Sequence, residues 1–252
     1  MSTIYPGLVS ITFRQLSTTE IIDLVVQAGL TGIEWGGDIH VPHGDVVTAR
    51  GVCHQTIDAG LEVAAYGSYY RVSHEETGPF DAVLASAVAL DAPTIRVWAG
   101  RQGTDSADEA YWQAVIEDSR RIADLAAAEG ITIAYEFHGN TLTDTNDTAR
   151  TLLERVARPN VRSLWQPPRY STVDYNLTGI DTVTPWLENI HVFQWHRESG
   201  ARKALAVGET DWQQYLGKVK QVAGNRYALL EFVEDDDPDA FLRDAAILKV
   251  WL

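Results

Sequence analysis

Four residues of the sequence place chemically active side chains in apolar surroundings. They are two glutamates, one histidine and one glutamine: Glu136, Glu231, His191 and Gln166. An isolated charge in an apolar segment is costly unless something pairs with it. Two carboxylates, an imidazole nitrogen and an amide oxygen form a mixed ligand set that suits a divalent ion such as Mn, Mg, Co or Zn. We therefore expect these four residues to bind one divalent metal ion.

Each of the four residues also has a structural interpretation. A buried glutamate such as Glu136 or Glu231 can form a salt bridge to an arginine inside the fold. His191 can be a hydrogen-bonded core histidine, and Gln166 can be a structural hydrogen-bond partner. These alternatives stay open at the level of the sequence.

The elements that would position these residues repeat along the chain. A helical segment with a polar face ends near a glycine or asparagine, and a short β-branched or aromatic run follows. Eight segments contain such a predicted strand: 7–13, 28–35, 59–66, 90–98, 128–137, 158–166, 187–195 and 224–233. The runs are short and apolar with little alternation, which is typical of strands covered on both faces.

Amphipathic segments between these runs predict helices. In the segment 18–30, Thr18 or Thr19 is a plausible N-cap, and Gly130 closes the longer segment 109–130 as a C′ residue. Eight strands alternating with helices indicate the α/β class and a (β/α)8 TIM barrel. A doubly wound open sheet is the alternative, but no glycine-rich nucleotide-binding motif follows an early strand. We expect one barrel domain over residues 1–252.

Polar residues at other predicted strand ends extend the candidate site, because barrel chemistry lies at the carboxyl ends of the strands. Glu34 lies at the end of the second predicted strand, His40 lies beyond it and Arg169 follows the sixth strand, so we expect them to contact substrate. His138 lies two residues after Glu136, on the same side of the strand. It is a candidate base or hydroxyl contact, with a hydrogen bond that orients a neighbour as the alternative.

Aromatic residues also lie at the predicted strand ends. Trp35, Tyr66, Trp98 and Trp195 either wall a sugar pocket, with Trp98 as a substrate contact, or belong to the core.

Composition excludes several classes of function. The net charge of −15 argues against binding to nucleic acid or to anionic membranes. A single cysteine, Cys53, allows neither an intramolecular disulfide nor a cysteine-rich zinc site. No signal peptide and no apolar run of about 18 residues are evident, so we expect a cytoplasmic protein.

Several motifs resemble the xylose-isomerase-like barrel superfamily of sugar isomerases and epimerases. They are YEFHGN at 135–140, IHVFQWH at 190–196, LLEF at 229–232 and VGETDWQQYL at 207–216. The superfamily includes ketose 3-epimerases, inosose dehydratases and relatives of C-glycoside deglycosidases. Its metal ligands are typically Glu, Asp, His and Glu. The resemblance implies the ligands Glu136, Gln166 in place of the aspartate, His191 and Glu231.

The resemblance also marks departures from the family pattern. Gln166 removes one negative charge, which should weaken metal binding or raise the Lewis acidity of the metal. Arg169 stands where a substrate-contacting histidine is usual, and Arg197 matches a substrate-contacting arginine of the ketose epimerases. The histidines that a three-metal nuclease site needs after the third and fourth strands are missing, so the nucleic-acid branch fits poorly.

The resemblance implies a sugar or keto-sugar isomerase or epimerase that uses one divalent metal, most plausibly Mn. Such an enzyme abstracts a proton next to a carbonyl and passes through a metal-stabilised enediolate. Glu136 and Glu231 would exchange the proton, with His138 as a possible base. The alternatives are a lyase acting by β-elimination on an inosose or a 3-keto-glycoside, and a non-catalytic sugar-binding barrel. We expect a non-phosphorylated small-molecule substrate and a homo-oligomer, or a hetero-oligomer whose second subunit completes the pocket.

Overall fold

Strands and helices alternate through the computed structural model, which describes residues 3–74, 76 and 78–252. In chain order the strands are β1 (Ile4–Val9), β2 (Gly32–Gly36), β3 (Glu62–Arg71), β4 (Thr94–Trp98), β5 (Thr132–Glu136), β6 (Val161–Trp165), β7 (Leu187–Val192), β8 (Gln194–Trp195), β9 (Arg202–Lys203) and β10 (Arg226–Leu230). The helices are α1 (Thr18–Ala28), α2 (Val46–Asp58), α3 (Phe80–Ala89), α4 (Glu109–Ala128), α5 (Asn146–Val156), α6 (Val173–Val183), α7 (Glu209–Val219) and α8 (Pro238–Trp251).

Eight parallel strands of the described residues close into one barrel. Around the barrel their order is β1, β10, β7, β6, β5, β4, β3 and β2, while β8 and β9 form a small antiparallel pair beyond β7. Each parallel neighbour needs a crossover connection, and the helices supply it. The prediction of a single (β/α)8 barrel is confirmed. None of the helices in the described part of the chain is long and apolar enough to cross a membrane.

The first helix shows how local sequence sets an element boundary. Ser17 is the N-cap of α1, because its hydroxyl accepts the amide of Glu20 while the Glu20 carboxylate accepts the amide of Ser17. This capping box satisfies two amides that would otherwise lack partners, so the prediction of Thr18 or Thr19 as the cap is wrong. Gly130 follows α4 with φ +72°, as predicted for a C′ glycine.

The predicted first strand, 7–13, is wrong at its carboxyl end. The strand stops at Val9, and Ser10–Phe13 form a buried 3-10 turn. This turn presents the Ser10 hydroxyl to the amide of Gly36 at 2.8 Å and to the His40 ring at 2.9 Å. The turn therefore ties the end of β1 to the loop after β2.

The barrel interior contains both a small apolar cluster and charged side chains. Val9, Ile11, Ala64 and Leu229 form a separate small apolar cluster. Val9 is in register with Glu34, and Leu229 is in register with His191. Charged side chains thus share the interior with this cluster towards the carboxyl ends of the strands, where barrel enzymes carry their active sites.

Candidate active site

Six polar side chains meet inside the barrel, and all are buried. They come from β2, β4, β5 and β7 and from the residues that follow β6 and β10: Glu34, Arg96, Glu136, His191, Gln166 and Glu231. Three carboxylates pair with one guanidinium and one imidazole ring. Buried charges persist only when they are paired and hydrogen-bonded, and each of these is.

Arg96 joins two of the carboxylates. Its Nε donates to Glu34 Oε1 at 2.6 Å, and its Nη1 donates to Glu136 Oε2. Burial alone would raise the pKa of Glu34, but the charges on Arg96 and His191 outweigh burial and lower that pKa to about 2. The Arg96 charge likewise outweighs burial at Glu136 and lowers its pKa. Both carboxylates are therefore ionised.

His191 lies between the remaining acceptors. Its Nε2 is 3.2 Å from Glu34 Oε2, and its Nδ1 is 3.3 Å from both Glu231 Oε2 and Gln166 Oε1. Burial alone would lower the pKa of His191, but Glu231 and Glu34 raise it to about 10. In the metal-free protein this ring is an imidazolium that donates from both nitrogens.

Gln166 closes the cluster on the β5 side. Its Nε2 donates to Glu136 Oε1 and to the carbonyl of Phe137, each at 2.9 Å. Glu136 also accepts from the indole Nε1 of Trp98 on Oε2. Every oxygen of the Glu136 carboxylate is thus held in a fixed direction.

These side chains are of the types that bind a divalent ion. Glu136 Oε1 lies 2.9 Å from the amide nitrogen of Gln166, and His191 Nδ1 lies 3.3 Å from both Gln166 Oε1 and Glu231 Oε2. A metal-bound histidine also usually donates its other ring N–H to a carboxylate, and Glu34 is placed to accept it.

The histidine, cysteine and carboxylate side chains alone do not form a metal site. In residues 3–74, 76 and 78–252, no group of three or more of them is placed to hold an ion. A site here needs the amide oxygen of Gln166 as a donor and loss of the His191 Nδ1 proton. The assignment of these four residues as ligands stays a prediction.

A cavity of about 510 Å³ opens above the cluster. Its polar lining includes Glu136, Gln166, Glu231, His138 and Arg169. The volume is in the range of small-molecule sites.

Two of these lining residues, His138 and Arg169, lie on aromatic rings. The ring of His138 stacks on Trp98 at 4.6 Å between centroids, and its Nδ1 is 2.7 Å from the carbonyl of Gly139. In the neutral ring, that contact places the proton on Nδ1 and leaves Nε2 as an acceptor. The guanidinium of Arg169 lies 4.2 Å from the ring centre of Trp195, a cation–π contact.

Other predicted substrate contacts lie elsewhere. Glu34 lies below the cavity as the partner of Arg96 and His191. His40 is buried against Ser10 and the carbonyl of Leu16. Neither lines the cavity, and their contact with substrate stays a prediction. 

Arg197 pairs with Asp211 at 2.9 Å and lines a separate small cavity behind the β6 and β7 loops. It is not among the lining residues of the main cavity, and its contact with substrate stays a prediction.

The predicted aromatic wall divides in two. Trp195 lines the cavity, and Trp98 supports Glu136 and His138 from the side. Trp35 and Tyr66 are fully buried and bond to Thr56 Oγ1 and the carbonyl of Val41; they are core residues.

Two residues at the cluster were not predicted as site residues. Arg96 lies inside the strand segment TIRVW, where a buried charge is as unusual as at Glu136. Tyr69 lies over the Arg96 guanidinium at 4.8 Å with φ +57°, in a bulge of β3. A non-glycine residue in that region is strained, and such strain often accompanies functional sites. The backbone conformation of Tyr69 has no signal in the sequence.

Comparisons with known proteins agree with this architecture. A family model described as xylose isomerase-like TIM barrel matches residues 22–250. A 3-dehydroshikimate dehydratase of Bacillus anthracis is 25% identical over 204 residues, which cover 73% of this chain and 70% of that protein.

Solved structures share the fold. A probable 3-DHS dehydratase of Bacillus anthracis has a TM-score of 0.80 at 21% identity, covering 98% of this chain and 99% of that one. A D-allulose 3-epimerase of Methylomonas sp. has a TM-score of 0.70 at 13% identity, covering 100% and 99%. A xylose isomerase-like TIM barrel protein of Mycobacterium smegmatis, solved in complex with magnesium, has a TM-score of 0.71 at 15% identity, covering 100% and 98%.

Proposed function

The chain belongs to the xylose isomerase-like TIM barrel family, and on this basis we propose that it is a divalent-metal-dependent enzyme of the dehydratase type. It removes a proton next to a carbonyl group and expels a neighbouring hydroxyl group as water. The observation that carries this proposal is the contiguous set formed by Glu136, Gln166, His191 and Glu231 beneath an open cavity.

Glu136, Gln166, His191 and Glu231 would hold the metal, a mixed oxygen and nitrogen donor set that suits a divalent ion such as Mn. When bound, the ion supplies Lewis acidity at the carbonyl oxygen and balances the negative charge that develops there. Glu34 accepts the second ring N–H of His191 and keeps that ring oriented.

His138 is the base in this proposal. Its Nδ1 is bonded to the carbonyl of Gly139 and its ring is stacked on Trp98, so Nε2 is free to accept a proton in the cavity. Proton transfer by a positioned side chain contributes about 10²–10⁴-fold to a rate. The proton taken from carbon is then given to the departing hydroxyl, which leaves as water, and His138 returns to its neutral form.

The preference for elimination over epimerisation rests on the matched dehydratase and on Arg169. 3-Dehydroshikimate carries a carboxylate, and the Arg169 guanidinium at the cavity wall can bind a carboxylate with two parallel hydrogen bonds.

Epimerisation or isomerisation of a keto-sugar is the second candidate. Both Glu136 and Glu231 reach the cavity, and two carboxylates are what removal and return of a proton need. The structure of the D-allulose 3-epimerase shares the fold. Cytoplasmic location and assembly into a homo-oligomer, or a hetero-oligomer with a second subunit, stay predictions.

Product analysis by NMR in D₂O tests the proposal. We expect the Mn²⁺-loaded protein to convert 3-dehydroshikimate into an aromatic dihydroxybenzoate with loss of one water. Deuterium exchange at one carbon of a keto-sugar, without loss of oxygen, supports the second candidate instead. Absence of a bound divalent metal, with a melting temperature that EDTA does not change, contradicts both.

A further inference from the structure

The guanidinium of Arg96 lies in a closely fitting space inside the barrel. The side chain is buried and connects β2 with β5 through Glu34 and Glu136. Its third nitrogen, Nη2, is buried and finds no hydrogen-bond partner in the described part of the chain. An unpaired buried donor is destabilising, so two bonds to carboxylates fix this orientation in spite of that cost.

This space exists because residue 67 is a glycine and has no side chain. A Cβ at Gly67 would lie 2.6 Å from Arg96 Nη2 and 2.7 Å from Glu34 Oε1. Gly67 pairs with Arg96 in the register of β3 and β4, and the Tyr69 ring covers the guanidinium at 4.8 Å. Backbone, glycine and aromatic ring together leave room for one planar group.

The two bonds from Arg96 determine which oxygens remain for the rest of the cluster. With Oε2 of Glu136 held by Arg96, Oε1 faces Gln166. With Oε1 of Glu34 held, Oε2 faces His191. One guanidinium therefore sets the direction of a predicted metal ligand and of the carboxylate that orients another.

We propose that Arg96 is a positioning residue of the active site, which holds Glu136 and Glu34 so that Glu136 Oε1 faces Gln166 and Glu34 Oε2 faces His191. The proposal rests on the proposed metal-dependent function and goes beyond it, because Arg96 is neither one of the proposed metal ligands nor a lining residue of the cavity. A lysine offers a point charge and cannot hold two carboxylates in the fixed fork of a guanidinium.

The first test is R96K, which keeps the charge and removes the fork. Loss of a residue that orients metal ligands typically costs about 10–100-fold in metal affinity or activity. We expect Mn²⁺ affinity, measured without substrate by titration calorimetry, to fall by that factor. We expect kcat to fall similarly and KM to change by less than about threefold. The Co²⁺ absorption spectrum should also change, which a merely structural role would not cause.

Arg226 supplies a matched control. It is also buried and donates to the carbonyls of Val222 and Ala223 at the other end of the barrel. R226K should lower the free energy of unfolding and leave Mn²⁺ affinity and the Co²⁺ spectrum unchanged. If R226K and R96K lower Mn²⁺ affinity equally, Arg96 has no special role.

G67A tests the same alignment with no change of charge. Its Cβ displaces the guanidinium or Glu34, so we expect the same loss of Mn²⁺ affinity and the same change in the Co²⁺ spectrum. Gly32 provides the control, because a Cβ there would meet the Tyr227 ring at 2.4 Å, away from the cluster. G32A should lower stability alone.

Crystals of metal-free R96K decide the proposal independently of the metal. We expect Glu136 Oε1 to leave Gln166, or Glu34 Oε2 to leave His191. If both contacts persist as in the wild type, Arg96 does not position them and the proposal fails. A wild type that binds no Mn²⁺ contradicts the proposed function. The crystallographic comparison would still test whether Arg96 positions Glu136 and Glu34.

Discussion

Gln166→Glu changes one atom of the cluster from a donor to an acceptor and leaves the size of the side chain the same. In the wild type, Nε2 donates to Glu136 Oε1 and to the carbonyl of Phe137, both at 2.9 Å. The variant loses both bonds and brings a second carboxylate against Glu136. This perturbation tests whether position 166 faces a metal.

The expected size follows from the lost contacts. A hydrogen bond to a charged acceptor contributes roughly 1.5–3 kcal/mol and a neutral one about 1 kcal/mol. Two like charges about 4 Å apart add about 4 kcal/mol of repulsion at an effective dielectric constant of 20, most of which binding of one proton relieves. We expect the metal-free variant to lose about 3 kcal/mol of unfolding free energy, with a larger loss at pH 8 than at pH 5.

Binding of a metal ion should offset this loss of unfolding free energy. The added negative charge attracts the divalent ion, and the ion screens the two carboxylates from each other. We expect Mn²⁺ to bind about 10–100-fold more tightly than to the wild type, which corresponds to roughly 1.4–2.8 kcal/mol. Chemical denaturation with and without Mn²⁺, together with titration calorimetry, measures both effects.

Gln194→Glu is the matched control, because it makes the same charge change on β8, outside the cluster. Its Mn²⁺ affinity should equal that of the wild type. Unchanged Mn²⁺ affinity in Gln166→Glu would show that residue 166 is not a ligand and would refute the reasoning.

Three further predictions follow from the structure. Glu136→Gln should abolish turnover with the far-ultraviolet circular dichroism intact, since its carboxylate holds bonds from three residues; wild-type kinetics would reject the role. His138→Gln should lower kcat by about 10²–10⁴-fold and leave Mn²⁺ affinity unchanged, and an equal loss of Mn²⁺ affinity would make His138 a ligand rather than a base. Burial raises the pKa of Asp244 to about 6, so the folded state holds a proton that the unfolded state releases near pH 4. The stability of the wild type relative to Asp244→Asn should therefore fall as the pH rises from about 4 to 6 and stay constant above it, as measured by urea denaturation; a flat difference contradicts the assignment.

The barrel and the inward direction of Glu136, Gln166, His191 and Glu231 could be predicted from the sequence. Each of these residues interrupts or ends an apolar strand, and a polar group in such a place needs partners. The same reasoning applies to Arg96 inside TIRVW, but its partners come from β2 and β5, and no local pattern indicates which strands face each other.

The positions of Glu34 and His40 outside the cavity lining have local physical causes. Glu34 lies near the carboxyl end of β2 and His40 follows that strand, so the sequence favours both as cavity residues. The 3-10 turn at Ser10–Phe13 and the carbonyl of Leu16 bind His40 instead, and Arg96 binds Glu34 from below. Periodicity does not specify where β1 turns, and that turn decides the position of His40.

The most direct test of a metal site in this barrel is a crystal structure of the wild type grown in Mn²⁺, with data collected at the manganese absorption edge. The account predicts one anomalous peak in contact with Glu136, Gln166, His191 and Glu231, with His191 Nε2 still bonded to Glu34. At saturating Mn²⁺, the absence of a peak there, with His191 still hydrogen-bonded between Glu34 and Glu231, would contradict it.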